Sequence, residues 1–166
     1  MHTDVSTDVS THARPIDRWF ASYSADHGNA VNQRIHVIAV PAIAWSVIAL
    51  LWCLPSPGTL FRPGLWAGLA MFGAWMFYYR ASRRLGLGML AALVLLAWLT
   101  RGLHDQLGTP GLFYLAAGVF VTAWIAQFVG HQVEGRKPSF LTDLTYLLIG
   151  PAWVLSKLYR KLGWSY

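Results

Sequence analysis

Apolar runs without a single charge, separated by short polar breaks, are the feature that most restricts what this chain can become. Four stand out, at residues 37–54, 65–79, 86–100 and 111–130. The first and last approach the roughly 20 residues that a helix needs to cross a bilayer core. The middle two are about 15 residues long and cover about 22 Å at 1.5 Å per residue. They still span if the bilayer thins locally, or if Arg62, Arg80 and Arg101 extend to the interface. "PSPGTLFRPG" and "YRASRRLGLG" carry turn chemistry and separate the runs. Only 12% of the residues are charged, about half the soluble-domain share of about 25%, as expected where lipid is the main solvent.

The fold expected is all-α: an integral membrane bundle of about four transmembrane helices with interfacial helices at both ends. "PIDRWFASYSADH" opens on a helix-compatible proline and reads as the N-terminal interfacial helix. Residues 141–159 carry Asp143, are broken by Gly150-Pro151 and end in Lys157, Arg160 and Lys161, so they read as an interfacial or re-entrant segment. Residues 1–14 lack the basic-then-apolar pattern of a cleaved signal and read as a short disordered tail. Residues 15–166 form one membrane-embedded domain on this reading.

Charge sets the orientation. Four spans put Arg14, Arg18, Arg34, Arg80, Arg83, Arg84, Arg136, Lys137, Lys157, Arg160 and Lys161 on one side, and only Arg62 and Arg101 on the other. The positive-inside rule then places both termini in the cytoplasm, at the inner membrane of a bacterium or the endoplasmic reticulum of a eukaryote. The net charge of +6 follows from topology and contact with anionic headgroups, without nucleic acid as a partner. A single cysteine, Cys53, excludes an internal disulfide and any cysteine-based metal cluster. The nine tryptophans read mostly as an interfacial belt.

Three of six histidines share one depth. His2 and His12 lie in the tail, and His104 reads as a solvated loop residue on the outer side. His27 and His36 precede the first span and His131 closes the fourth, so topology alone brings them to one cytoplasmic edge. Nine residues apart, His27 and His36 would lie on opposite faces of a continuous helix. "HGNAVN" between them allows a turn, with Asn29 or Asn32 available as the next helix cap. Asn32, four residues before His36, is placed to fix the tautomer of that imidazole. Gln127, His131 and Glu134 form one helical stripe, and Gly130 allows a second helix to approach it. Three neutral imidazoles with an optional carboxylate suit iron, zinc or copper, whereas calcium or magnesium would require more oxygen ligands. The plainer alternative is a set of interfacial histidines that are hydrogen-bonded and bind nothing. "GLGML" lacks the strand and lysine of a phosphate loop, and no Ser-His-Asp order is present.

"FASYSADHGNAVNQRIHVIAVP" and "WIAQFVGHQVEGRKPSFLTDLTYLLIGPAWVLSKLYRKLGW" together resemble the small membrane-protein family typified by the yeast iron-dependent 2-hydroxy fatty acid dioxygenase of alpha-oxidation. The residues that carry it are Tyr23, His27, Asn32, Ile35, His36 and Pro41, then Trp124, Gln127, Phe128, Gly130, His131, Glu134 and Pro138. The resemblance implies a non-haem Fe(2+) enzyme with His27, His36 and His131 as ligands. It also implies O2 and a 2-hydroxy fatty acid as substrates, the acid being shortened by one carbon. On this basis Glu134 and Asn32 are assigned to catalysis. Arg34, Tyr23, Gln127, Arg136 and Lys137 are assigned to substrate binding, with headgroup anchoring as an equal alternative for the three cations. Glu134 carries three roles, as iron ligand, as a partner orienting His131 or as proton shuttle, the second being preferred. Competing readings are a non-catalytic lipid-binding or scaffold protein, a small transporter with a His/Glu proton relay, and a bis-histidine haem protein. The transporter reading is weakened by the lack of acidic residues inside the spans and of an inverted repeat.

Overall fold

The computed structural model describes residues 14–25, 27–58, 63–135 and 146–166. These form five helices: α1 (Pro15–Ala25), α2 (Ala30–Trp52), α3 (Leu65–Ala81), α4 (Arg83–Glu134) and α5 (Tyr146–Lys161). There is no strand among the described residues. The expected tail lies outside them except for Arg14, whose guanidinium pairs with Asp17 at 2.9 Å and donates to the Tyr166 carbonyl.

Local chemistry sets the helix ends. Asn29 has extended backbone, and its side-chain oxygen accepts from the Val31 and Asn32 amides at 2.8 and 3.4 Å. Of the two asparagines, Asn29 is therefore the cap of α2. Between α3 and α4 the break shrinks to one residue. The Ser82 amide donates to the Tyr78 carbonyl while its hydroxyl accepts from the Leu85 amide at 3.4 Å, so one residue ends one helix with its backbone and starts the next with its side chain.

The expected loop around residues 101–110 is helical instead. Arg101 and Asp105 form an i,i+4 pair at 3.8 Å, and His104 sits in the helix with Nε2 3.0 Å from the Thr109 hydroxyl. The reversal is concentrated at Gly108, with φ 67° and ψ 176°, immediately before Thr109 and Pro110. Packing shows that the chain doubles back there. In a straight helix Leu93 would lie about 24 Å beyond Thr109. Instead Leu93 packs on Ile48 and Ala67, only about 7.5 Å of helix rise from Cys53, beside which Thr109 lies at the end of α2, and Leu103 shares a cluster with Leu112 and Ala116 from the other side of Gly108. The α4 element is thus two antiparallel arms, 83–107 and 109–134. Each is about 25 residues and about 37 Å long, so the third apolar run is the core of a longer helix.

With α2 and α3, the two arms make four rods. Trp45 and Ala49 pack on Leu112 and Ala116 towards the far end. At the near end α1 and α5 close over the rods, where Ile16, Phe20 and Tyr23 join Tyr78, Leu85, Met89, Ile149, Ala152 and Trp153. The re-entrant break expected at Gly150-Pro151 does not occur, and α5 runs through both residues. Residues 141–145, with Asp143, lie outside the described set.

Outward-facing positions are apolar. Ile38 and Tyr114 are each 75% exposed and Trp98 is 72% exposed. Such a belt would be costly in water and is the natural contact surface for lipid. Both α2 and α4 are long and apolar enough to cross a membrane. At 17 residues, α3 is about 25 Å long.

Candidate metal centre

The near end of the bundle gathers three buried imidazoles from three segments. His27 follows α1, His36 lies on the second turn of α2, and His131 lies on the last turn of α4. They are 1%, 1% and 4% exposed. Their ring centroids are 4.3 Å (His27–His36), 4.9 Å (His36–His131) and 5.1 Å (His27–His131) apart. One nitrogen from each lies within 4.8 Å of the others. Topology had brought these residues to one edge; the structure brings their side chains to one point.

Hydrogen bonds orient two of the rings. His27 Nδ1 donates to the Tyr23 carbonyl at 2.6 Å, and His36 Nδ1 donates to the Asn32 carbonyl at 3.0 Å. A carbonyl only accepts, so each Nδ1 carries the proton and each Nε2 carries the lone pair. This is how a metal-binding histidine is usually held. The Tyr23 ring stacks on His27 at 4.2 Å and 13°.

This donor set fits a borderline divalent cation. Three neutral nitrogens from separate elements can move onto one ion by small side-chain rotations, and they leave coordination positions for exogenous ligands. Among the described residues, His27, His36 and His131 are the metal-capable group, and Glu134 is not part of it.

Glu134 acts elsewhere. Its carboxylate accepts from the Gly28 amide at 3.0 Å, the Asn29 amide at 2.8 Å and Asn32 Nδ2 at 3.1 Å. It therefore ties the end of α4 to the turn between His27 and His36. The expected pairing of the Asn32 side chain with the His36 ring does not occur. The Asn32 main-chain carbonyl holds His36 because of its i−4 position, which leaves the amide side chain for Glu134. Gly130 sits against the Asn32 side chain with no room for a Cβ, so α2 and α4 meet closely here, as the glycine had implied.

The remaining predicted residues divide. Tyr23 is buried against His27, and Gln127 is buried one turn before His131. Arg34 is exposed; two residues from both Asn32 and His36, it lies on the other face of α2, away from the histidines. Arg136 and Lys137 lie outside the described residues. His104 is near Thr109, at the other end of the rods.

Sequence reading missed a second layer. Gln33 Nε2 donates to the His27 carbonyl at 2.7 Å, and Lys157 Nζ donates to Gln33 Oε1 at 2.6 Å. The Lys157 ammonium also sits 3.9 Å over the Trp153 ring. Burial lowers its pKa from the usual lysine range, and neighbouring Arg160 pushes the same way. Trp153, assigned to an interfacial belt, is 1% exposed, lies 5.6 Å from His27 and donates to the Ser24 hydroxyl at 2.9 Å. The available signal was the i,i+4 spacing of Trp153 and Lys157, which puts a cation and an aromatic ring on one face.

Residues 13–162 match the model of a family described as "Mpo1-like: 2-hydroxy-palmitic acid dioxygenase Mpo1-like". The chain is also 31% identical over 143 residues to the "2-hydroxy-palmitic acid dioxygenase MPO1" of Saccharomyces cerevisiae, covering 85% of this chain and 78% of the yeast protein. No solved structure matches. With nearly the whole helical region inside the match, and all three histidines with it, the chain belongs to the Mpo1-like family.

Proposed function

We propose that this protein is a membrane-embedded Fe(2+)-dependent dioxygenase that shortens 2-hydroxy fatty acids by one carbon. The observation that carries the reading is the meeting of His27, His36 and His131 within one buried volume, in a chain 31% identical to a protein named as a 2-hydroxy-palmitic acid dioxygenase. The stoichiometry closes without an external reductant: a 2-hydroxy acid and O2 give the acid one carbon shorter, CO2 and water.

Iron held by His27, His36 and His131 would supply open coordination positions for a 2-hydroxy carboxylate and for O2. The protein's own residues do the rest. Tyr23 and Asn32 hold two imidazoles in the metal-binding tautomer through their carbonyls. Glu134 keeps the segment between those imidazoles against the end of α4. Gln127, one turn deeper, offers an amide to the substrate's polar head. Lys157 contributes positive potential from the α5 side, the part that Arg34 does not play. In sequence, Arg136 and Lys137 follow Glu134 after one glycine and add charge attractive to a carboxylate. The acyl chain lies against the apolar exterior. The four rods cross the bilayer with both termini in the cytoplasm.

The test is incubation of the ferrous, detergent-solubilised protein with 2-hydroxypalmitate and O2, followed by lipid mass spectrometry. The expected product is the fatty acid one carbon shorter. About one iron per chain is expected under reducing, anaerobic conditions. His27→Ala, His36→Ala and His131→Ala should each remove most of it, and His104→Ala should not. Equal iron in all four variants would refute the site, and no shortened product across several chain lengths would refute the reaction.

A further inference from the structure

We propose that the cleft at the α3–α4 turn is a binding site for an anionic phospholipid, with the phosphate among arginines and an acyl chain along Leu87 and Trp164. Two cavities adjoin there. One, of about 710 Å³, is lined by Arg14, Arg80, Arg83 and Arg84 together with Ser82 and Tyr166. The other, of about 500 Å³, shares Arg84 and is lined by Leu87, Tyr159 and Trp164. Both are shallow hollows open at the surface, not enclosed cavities, a shape that a headgroup enters from the side of the bilayer.

The charge is one-sided. Arg14 is engaged by Asp17 and by the Tyr166 main-chain oxygen and Arg84 donates to the Ser165 hydroxyl, whereas Arg80, Arg83 and Arg84 form no ion pair among the described residues. Membrane orientation requires cations on this side but does not require four of them to face one concavity. Guanidinium groups match phosphate oxygens two by two, so a phosphate ester is the anion the cleft suits. The neighbouring cavity decides between a lipid and a free phosphate. Leu87 and Trp164 are 59% and 60% exposed, an apolar surface next to the arginines that only an amphiphile uses. None of the three histidines lines either cavity, so this site is separate from the metal centre and does not depend on the oxygenase chemistry.

Native mass spectrometry of the full chain in detergent tests it, with equal amounts of phosphatidylglycerol and phosphatidylcholine added. The wild type should hold one phosphatidylglycerol about tenfold more tightly than phosphatidylcholine, a difference of about 1.4 kcal/mol. Arg80→Gln/Arg83→Gln/Arg84→Gln should abolish the preference. Arg18→Gln/Arg160→Gln/Lys161→Gln, which removes equal charge outside the cleft, should keep it. If the cleft variant does not fold, Arg80→Gln/Arg83→Gln, which alters only exposed side chains, should still show several-fold loss. Equal loss in both sets would mean bulk charge, and no lipid preference in the wild type would mean no site. Displacement of the lipid by millimolar inorganic phosphate would mean an anion pocket without a lipid. Each of these three results overturns the proposal.

Discussion

His27 and His36 commit Nδ1 to main-chain carbonyls four residues earlier, so their geometry depends on the backbone between residues 23 and 36. Glu134 holds that backbone in place from more than a hundred residues away, through the Gly28 and Asn29 amides and Asn32 Nδ2. Glu134→Ala leaves these donors without their acceptor and frees the turn from α4. Supporting contacts of this kind typically change metal affinity 10–100-fold, and a loss in that range is expected on titrating the apo protein with ferrous ion. Glu134→Gln keeps one carbonyl acceptor and should fall between Glu134→Ala and wild type. Wild-type affinity in Glu134→Ala would show that the turn holds itself.

At the level of helices, two glycines carry unequal weight. A Cβ at Gly130 would run into the Asn32 side chain, which is fully buried at the α2–α4 contact. Gly130→Ala must turn the Asn32 amide away from Glu134 or push the helices apart, and overpacking of this kind costs about 1–3 kcal/mol. Gly118 in the same arm has nothing within 4 Å of its Cβ position, so Gly118→Ala should be neutral or stabilising by up to about 1 kcal/mol. Unfolding in mixed micelles compares the two directly, and equal effects would refute the close contact. Gly108 is different again: φ 67° with ψ 176° is a conformation side chains strongly disfavour, costing about 1–3 kcal/mol. Gly108→Ala should destabilise the hairpin between the arms, and the same assay reads it.

Over the whole molecule, the four rods bring the α1/α5 cap and the metal centre to one end and the 53–58 segment to the other. In the proposed topology those ends face opposite sides of the membrane. With Cys53→Ser removing the native thiol, Pro57→Cys and Ser165→Cys should react with a membrane-impermeant maleimide from opposite sides of sealed vesicles. In right-side-out vesicles only Pro57→Cys should label. Labelling of both from the same side would rule out crossing by an odd number of rods between them.

Much of this was legible in the residues. Uncharged runs of helical length dictated the rods, because backbone polar groups in lipid must be satisfied within a helix. The order of runs and breaks put His27, His36 and His131 at one end, and Gly130 marked a close contact. Spacing along a helix says which residues share a face, but not what lies across from it. It therefore missed that Glu134 reaches Asn29, that Lys157 reaches Gln33, and that Trp153 packs near His27. Those contacts each join residues more than a hundred positions apart: the first exists only once α4 packs on α2 and the other two only once α5 closes over the rods, because packing between helices, not periodicity within one, selects each side chain's partner.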